Sequence, residues 1–460
     1  MHHSARILTA LAVALPATVL ACFTSERAEI LGKQHPDIAF EDLAHHMHLQ
    51  ARIDYTYDGP ERCTDGQVDE FSCSGVNLAG WLPLPDLGGG SGADNWGWVD
   101  PASDRMFAIM GRSNGVSFVE VTDPQNPRYL GNLPRPDGVG TSVWSDVKTH
   151  AGYAFIVADS VTGHGIQVFD LKRLLEVDPA KPQTFEQDAH YTGFDRAHNI
   201  AINSETGFAY AVGSEQCAGG LHMVDISDPL DPRLAGCYDG DGYTHDVQCV
   251  LYHGPDEGYQ GREICFASNE DSVTVVDVTD KSAPVEVGRH TYDHAYTHQG
   301  WLTGDHRYFL TDDELDETSQ GLAGTRTLIF DLTSLEDAPP PAEYIAEGLS
   351  IDHNQYVIGN YVFQANYKRG LRVLRIDDPA TADLTEVAFF DTHPEEDGNG
   401  FSGAWSVFPY FGNDTVLVSD INRGMFILRL TDPGVARALR GALFKDRFNP
   451  ARLGPAAGSR

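Results

Sequence analysis

Leu221-His222-Met223-Val224-Asp225-Ile226-Ser227-Asp228-Pro229 alternates apolar and polar residues, carries one acid, and stops at Asp-Pro. Period-two alternation closed by such a pair reads as a half-buried strand running into a tight turn. The reading recurs at 116–124 (VSFVEVTDP), 166–171 (IQVFDL), 273–280 (VTVVDVTD), 327–333 (TLIFDLT), 371–379 (LRVLRIDDP) and 425–433 (MFILRLTDP). The acidic slot holds Glu120, Asp170, Asp225, Asp277, Asp331, Arg375 and Arg429, at gaps of 44 to 55 residues. Its change of sign in the last two copies marks it as a turn and strand-edge device, not a ligand.

A second register lies upstream of each copy: Trp96-Gly97-Trp98, Ser145-Asp146-Val147, His198-Asn199-Ile200, His245-Asp246-Val247, His298-Gln299-Gly300, His353-Asn354-Gln355 and Trp405-Ser406-Val407. A hairpin follows each, and a short strand follows each Asp-Pro turn. Four strands per unit and seven units predict an all-β, seven-bladed β-propeller. The seventh unit has three strands before the chain turns helical at 435–440. Residues 76–83 (VNLAGWLP) resemble the outer strands at 129–134 and 234–236, so this N-terminal segment is expected to close the last blade. An open solenoid would need capping repeats, which the sequence lacks.

The chain has 460 residues and a formal charge of −35, with 46 Gly and 25 Pro. Such acidity argues against nucleic acid and anionic membrane surfaces and favours contact with cations. Residues 1–22 read as a bacterial signal peptide whose Val19-Leu20-Ala21-Cys22 end resembles a lipobox, which makes Cys22 the expected lipidation site. Plain cleavage without lipid is the alternative. Residues 23–74 form an N-terminal extension, 75–432 the propeller and 433–460 a C-terminal tail. Within the extension, 39–50 reads as a weak helix bearing His45-His46-Met47-His48, an exposed polar face. The six cysteines other than Cys22 suggest neighbour pairs Cys63–Cys73, Cys217–Cys237 and Cys249–Cys265, suited to an exported protein; connectivity is not fixed by spacing.

Repetition gathers equivalent residues in a ring. At the first-strand start this ring is Trp96, Ser145, His198, His245, His298, His353 and Trp405, with histidine in four consecutive units. Acids are expected on the same rim from second-strand ends, including Glu215, Glu270 and Asp313. Imidazole with carboxylate suits Zn, Mn, Fe or Cu, and a carboxylate-rich set suits Ca. The candidate metal ligands are therefore His198, His245, His298, His353, Glu215, Glu270 and Asp313. The same histidines could instead pack and hydrogen-bond at each blade's inner edge, and the sequence leaves both readings open. Asp246 and Asp352 adjoin histidines, but strand alternation should turn them to the opposite side. Asp239-Gly240-Asp241-Gly242 and Asp397-Gly398-Asn399-Gly400 resemble fragments of calcium loops without an EF-hand spacing. No nucleophile elbow, H-E-x-x-H or Walker loop is present.

These motifs carry a resemblance. Trp144-Ser145-Asp146-Val147-Lys148, Arg196-Ala197-His198-Asn199, Tyr243-Thr244-His245-Asp246, Tyr296-Thr297-His298-Gln299-Gly300-Trp301 and Asp352-His353-Asn354 make residues 73–430 similar to bacterial choice-of-anchor B proteins, which carry LVIVD-type propeller repeats. The resemblance implies an exported propeller anchored at the cell surface, and brings no activity with it. The expected role is a binding or interaction module at the envelope, an outer-membrane lipoprotein, or extracellular or periplasmic if not lipidated. It is expected to be a monomer that meets an unidentified ligand or surface protein and touches membrane only through its lipid. The alternative is a metal-dependent hydrolase or oxidoreductase using the histidine cluster.

Overall fold

The computed structural model describes residues 59–441. The signal peptide, Cys22 and the histidine cluster at 45–48 lie outside them. Seven sheets surround a channel, each built on four antiparallel strands, with Gln183–Thr184 added in parallel to the outer edge of the first. Their innermost strands are Gly92–Val99, Ser145–His150, Asn199–Asn203, Asp246–Leu251, Thr297–Leu302, Asn354–Ile358 and Ala404–Phe408, one for each blade from first to seventh. Each expected repeat copy is the third strand of its blade.

The N-terminal segment closes the ring as expected. Val76–Leu82 pairs antiparallel with Gly424–Leu430, from Val76 opposite Leu430 to Leu82 opposite Met425. A further pairing was not foreseen. Phe71–Ser74 adds a strand to the outer edge of the sixth blade, with Cys73 opposite Phe390, and Gln67–Val68 adds another beyond it. The chain start therefore holds two neighbouring blades. Phe71 makes the join, since its ring meets Trp81, Phe390 and Phe426 with centroids 5.4 to 6.0 Å apart.

The three cysteine pairs are disulfides. Cys63–Cys73 ties the leading loop to the added edge strand, Cys217–Cys237 joins two parts of the third blade, and Cys249–Cys265 links directly opposed residues of the fourth. Such bonds persist in oxidising compartments, in keeping with an exported protein.

The Asp-Pro turns work through their side chains. Asp123 and Asp228 each accept a hydrogen bond from the backbone N–H two residues on, at 3.1 Å, and Asp280, which Lys281 follows in place of proline, does the same at 3.0 Å. Asp432 does so at the start of the helix Pro433–Gly441, accepting from Gly434 and Val435. Aspartate favours turns and helix starts for this reason. In four copies the slot before the turn makes an ion pair with the neighbouring strand: Glu120 with Arg105, Asp277 with Arg262, Asp331 with Arg307, and in reversed sign Arg429 with Asp414, whereas Asp170 and Asp225 accept from backbone N–H groups.

Candidate functional site

In blades three, four and six the histidine stands just before the innermost strand, and in the fifth His298 is the second residue of it. The backbone N–H groups of His198 and His245 already bond to the second strand, at Val212 O and Ser268 O. The four side chains converge at one mouth of the channel. Ring centroids lie 4.3 Å apart from His198 to His245, 4.1 Å from His245 to His298, and 4.5 Å from His298 to His353. Trp405 continues the row at 4.8 Å from His353. All four imidazoles are buried.

The first blade departs from the expected ring. A bulge between Gly92 and Asn95 shifts its register. Trp96 is thereby carried deeper, against Tyr356, Phe408 and Tyr410. Ala93 stands at the mouth instead, in a cluster with Trp144, Tyr367 and Trp405.

Each imidazole is oriented through Nδ1. His245 Nδ1 donates to His298 O at 2.9 Å, His298 Nδ1 to His353 O at 3.1 Å, and His353 Nδ1 to Trp405 O. A carbonyl can only accept, so Nδ1 carries a proton, and in the neutral ring Nε2 keeps its lone pair. His198 Nδ1 donates instead to Asp159 Oδ2 at 2.9 Å, and Asp159 is also paired with Arg196. Asp312 Oδ1 lies 3.2 Å from His298 Nδ1. Burial, then the neighbouring His298, holds His353 well below the usual imidazole range and keeps it neutral.

Glu314 completes the geometry. Its carboxylate lies 3.7 Å from His298 Nε2 and 3.8 Å from His353 Nε2, and Tyr367 Oη donates to it at 2.7 Å. One ligand atom from each of His298, Glu314 and His353 falls within 4.8 Å of the others, the one such group of three among the described residues. Burial pushes the Glu314 carboxyl above its ordinary range, against the pull of His298 and Tyr367.

The acids nominated from sequence sit differently. Asp313 accepts from the backbone N–H groups of Ala295 and Tyr296 at 2.7 and 2.6 Å and from Tyr292 Oη, so it braces the loop that delivers His298. Glu215 accepts from Asp195 N and Arg196 N, bracing the loop that delivers His198. Glu270 is joined to Thr297 through its backbone. Strand parity separates these roles. Asp312 turns inward to His298 and Asp313 turns away, while Glu314 lies beyond the strand Tyr308–Asp313 and is set by the turn that follows. The run Asp312-Asp313-Glu314 offered the candidates without saying which would face the imidazoles.

Behind this mouth lies a second set of acids. Asp316 Oδ1, both oxygens of Glu317 and both of Asp352 are buried with no hydrogen-bond partner, and Arg326 pairs with the other Asp316 oxygen. Burial and the Asp316 charge push the Glu317 carboxyl up to about 10.

Farther along the channel, Lys148 Nζ bonds to Asp94 Oδ2 at 3.0 Å and to Asp146. Asp246 also reaches this level. The expectation that alternation would turn it away from the channel is corrected: His245 precedes the strand, whereas Asp246 begins it, so period two does not relate them.

Comparison with known proteins adds a repeat family. The LVIVD repeat matches residues 200–240 and 264–292, within the third and fourth blades, so the chain is a β-propeller with LVIVD repeats. No curated protein matches the chain. Three solved structures are similar in fold. Hydrazine synthase of Kuenenia stuttgartiensis is 13% identical, with 76% of this chain and 96% of that one covered and a TM-score of 0.49. U3-55K is 11% identical, with 77% and 98% covered and a TM-score of 0.48. The Cps50 (Swd1) β-propeller domain of Myceliophteria thermophila is 11% identical, with 75% and 98% covered and a TM-score of 0.46. At such values these likenesses carry no functional argument, and the fold stands on its own strand pairing.

Proposed function

We propose that this protein is an exported binding module of the choice-of-anchor B type, held at the cell envelope through a lipid on Cys22. Its channel mouth binds a divalent first-row transition metal on His298 Nε2, His353 Nε2 and Glu314. The observation that carries the metal is the convergence of these three donors within 4.8 Å, each imidazole locked by a carbonyl on its far nitrogen. Two nitrogens and one oxygen suit Zn, Mn, Fe or Cu better than Ca, which takes oxygen ligands. A hydrogen bond on the far nitrogen fixes the ring and raises its basicity. His198 and His245 extend the row as further donors for a bound partner.

Metal content of protein purified without chelator tests this. About one equivalent is expected, lost in His353→Ala and Glu314→Gln and kept in Asp313→Asn. Metal-free protein whose melting is indifferent to added Zn or Mn would remove the reading. The anchor is tested separately, because Cys22→Ala should move the protein from the membrane fraction to the soluble one. Three protein donors leave coordination positions open for water. That feature supports the second reading, a metal-dependent hydrolase or oxidoreductase, which predicts turnover that disappears in Glu314→Gln.

A further inference from the structure

The innermost strands run in one direction around the channel, so their ends meet at the mouth opposite the histidines. A cavity of about 620 Å³ opens there. This volume suits a small organic ligand. Trp96, Trp301, Tyr356 and Tyr410 form its aromatic wall. The ring centroids are 4.9 Å apart for Trp301–Tyr356, 5.7 Å for Trp96–Tyr356 and 5.9 Å for Tyr356–Tyr410. Trp301 and Tyr410 are partly exposed.

Carboxyl groups outnumber cations at its inner end, where burial raises Asp94 well above the usual carboxylate range and Asp246 to about 7. Asp94, Asp146 and Asp246 face a single cation, Lys148, whose bonds go to Asp94 and Asp146. Asp246 lines the cavity, accepts a hydrogen bond from Val247 N, and makes no ion pair among the described residues. The oxygen of the neighbouring Gln248 is engaged, because Oε1 accepts from Leu302 N at 2.8 Å. Lys148 Nζ already sits 4.7 Å from the Trp96 ring centroid, so this wall receives an ammonium group. Asp246 beside the aromatic rings, with Glu205 the other carboxylate of the lining, offers too few oxygens for a hard metal ion. It does offer the two features that select an organic cation: a negative partner, and π-faces that attract positive charge.

We propose that this cavity binds an organic monocation, an alkyl or aryl ammonium compound, with its charge between Asp246 and the Trp96 and Trp301 rings and its apolar body against Tyr356 and Tyr410. The cavity opens at the other mouth from the metal donors, and Asp246, at its inner end, is the member nearest to them.

Titration calorimetry and tryptophan fluorescence with benzyltrimethylammonium test it, with benzyl alcohol as the neutral control. Saturable binding of the cation is expected, with the alcohol weaker by about tenfold or more. Asp246→Asn and Trp301→Ala should each weaken the cation by a similar factor, while His353→Ala leaves it unchanged. Equal binding of the alcohol, or no saturable signal from the cation with folded wild-type protein, would overturn the proposal. That comparison needs no variant, so a misfolded Asp246→Asn protein would not obscure it.

Discussion

Glu317 shows how a single side chain reports on its surroundings. It is 1% exposed, and neither carboxylate oxygen has a hydrogen-bond partner. Its carboxyl is held up to about 10, first by burial and then by Asp316, against an ordinary value of 4.5. Above pH 4.5 the unfolded chain gives up this proton while the folded protein keeps it. The contribution of Glu317 to stability is therefore greatest below pH 4.5 and falls as pH rises toward 10. Glu317→Gln should raise stability at pH 8 by about 1–3 kcal/mol and leave it nearly unchanged at pH 4. Denaturant melts at the two pH values check this, and a loss of stability at pH 8 would contradict it. The Asx turns belong to the same scale, because one carboxylate oxygen and a backbone N–H two residues later define each of them.

Within the strands, a repeated small residue has a packing explanation. Outer strands place glycine at a bulge where the next blade's turn approaches. A Cβ on Gly236 would lie 1.7 Å from Lys281 O, one on Gly288 2.2 Å from Leu335 O, and one on Gly80 2.5 Å from Pro124 O. All three obstacles are backbone atoms. Gly236→Ala must part the third and fourth blades and should cost roughly 1–3 kcal/mol, the range for overpacking. Thermal melts of Gly236→Ala beside Gly242→Ala separate this effect from backbone strain, since Gly242 has a positive φ of 66° and open space. A larger loss in Gly242→Ala would contradict the contact argument. Inner strands are stitched differently. Asp146 Oδ2 accepts from Ile200 N, Gln248 Oε1 from Leu302 N, and Gln299 Oε1 from Gln355 N. Each bond ties a blade to its successor around the channel.

Across the whole molecule, stability depends on closing the ring. Val76–Leu82 is the outer strand of the seventh blade, and Gly80 in it packs on the turn of the first. A chain beginning at residue 84 exposes the free edge of Gly424–Leu430 and loses the inner face of the Phe71, Trp81 and Phe426 cluster. It should lose cooperative melting and aggregate through that edge. Restored cooperative melting on adding a peptide spanning 70–83 is the expected complement, and a truncated chain that melts like the intact protein would refute the closure role. The same closed ring holds its two mouths apart, imidazoles at one and an aromatic cavity at the other.

Periodicity by itself determined the seven blades, the closing strand and the histidine row, because each depends on spacing along the chain, whereas the cysteine pairs suggested by proximity were settled by the fold. Repetition at a near-constant interval puts equivalent residues on one axis, and period two says which side of a sheet a residue takes. Tertiary structure decided what spacing does not carry. A bulge removed Trp96 from the ring, and Glu314, rather than Asp313, came to face the imidazoles. The bracing role of Asp313 needs the loop at 292–296 folded over it. The aromatic wall of the cavity comes from blades one, five, six and seven, residues up to 314 positions apart in sequence (Trp96 to Tyr410), which only ring closure brings together.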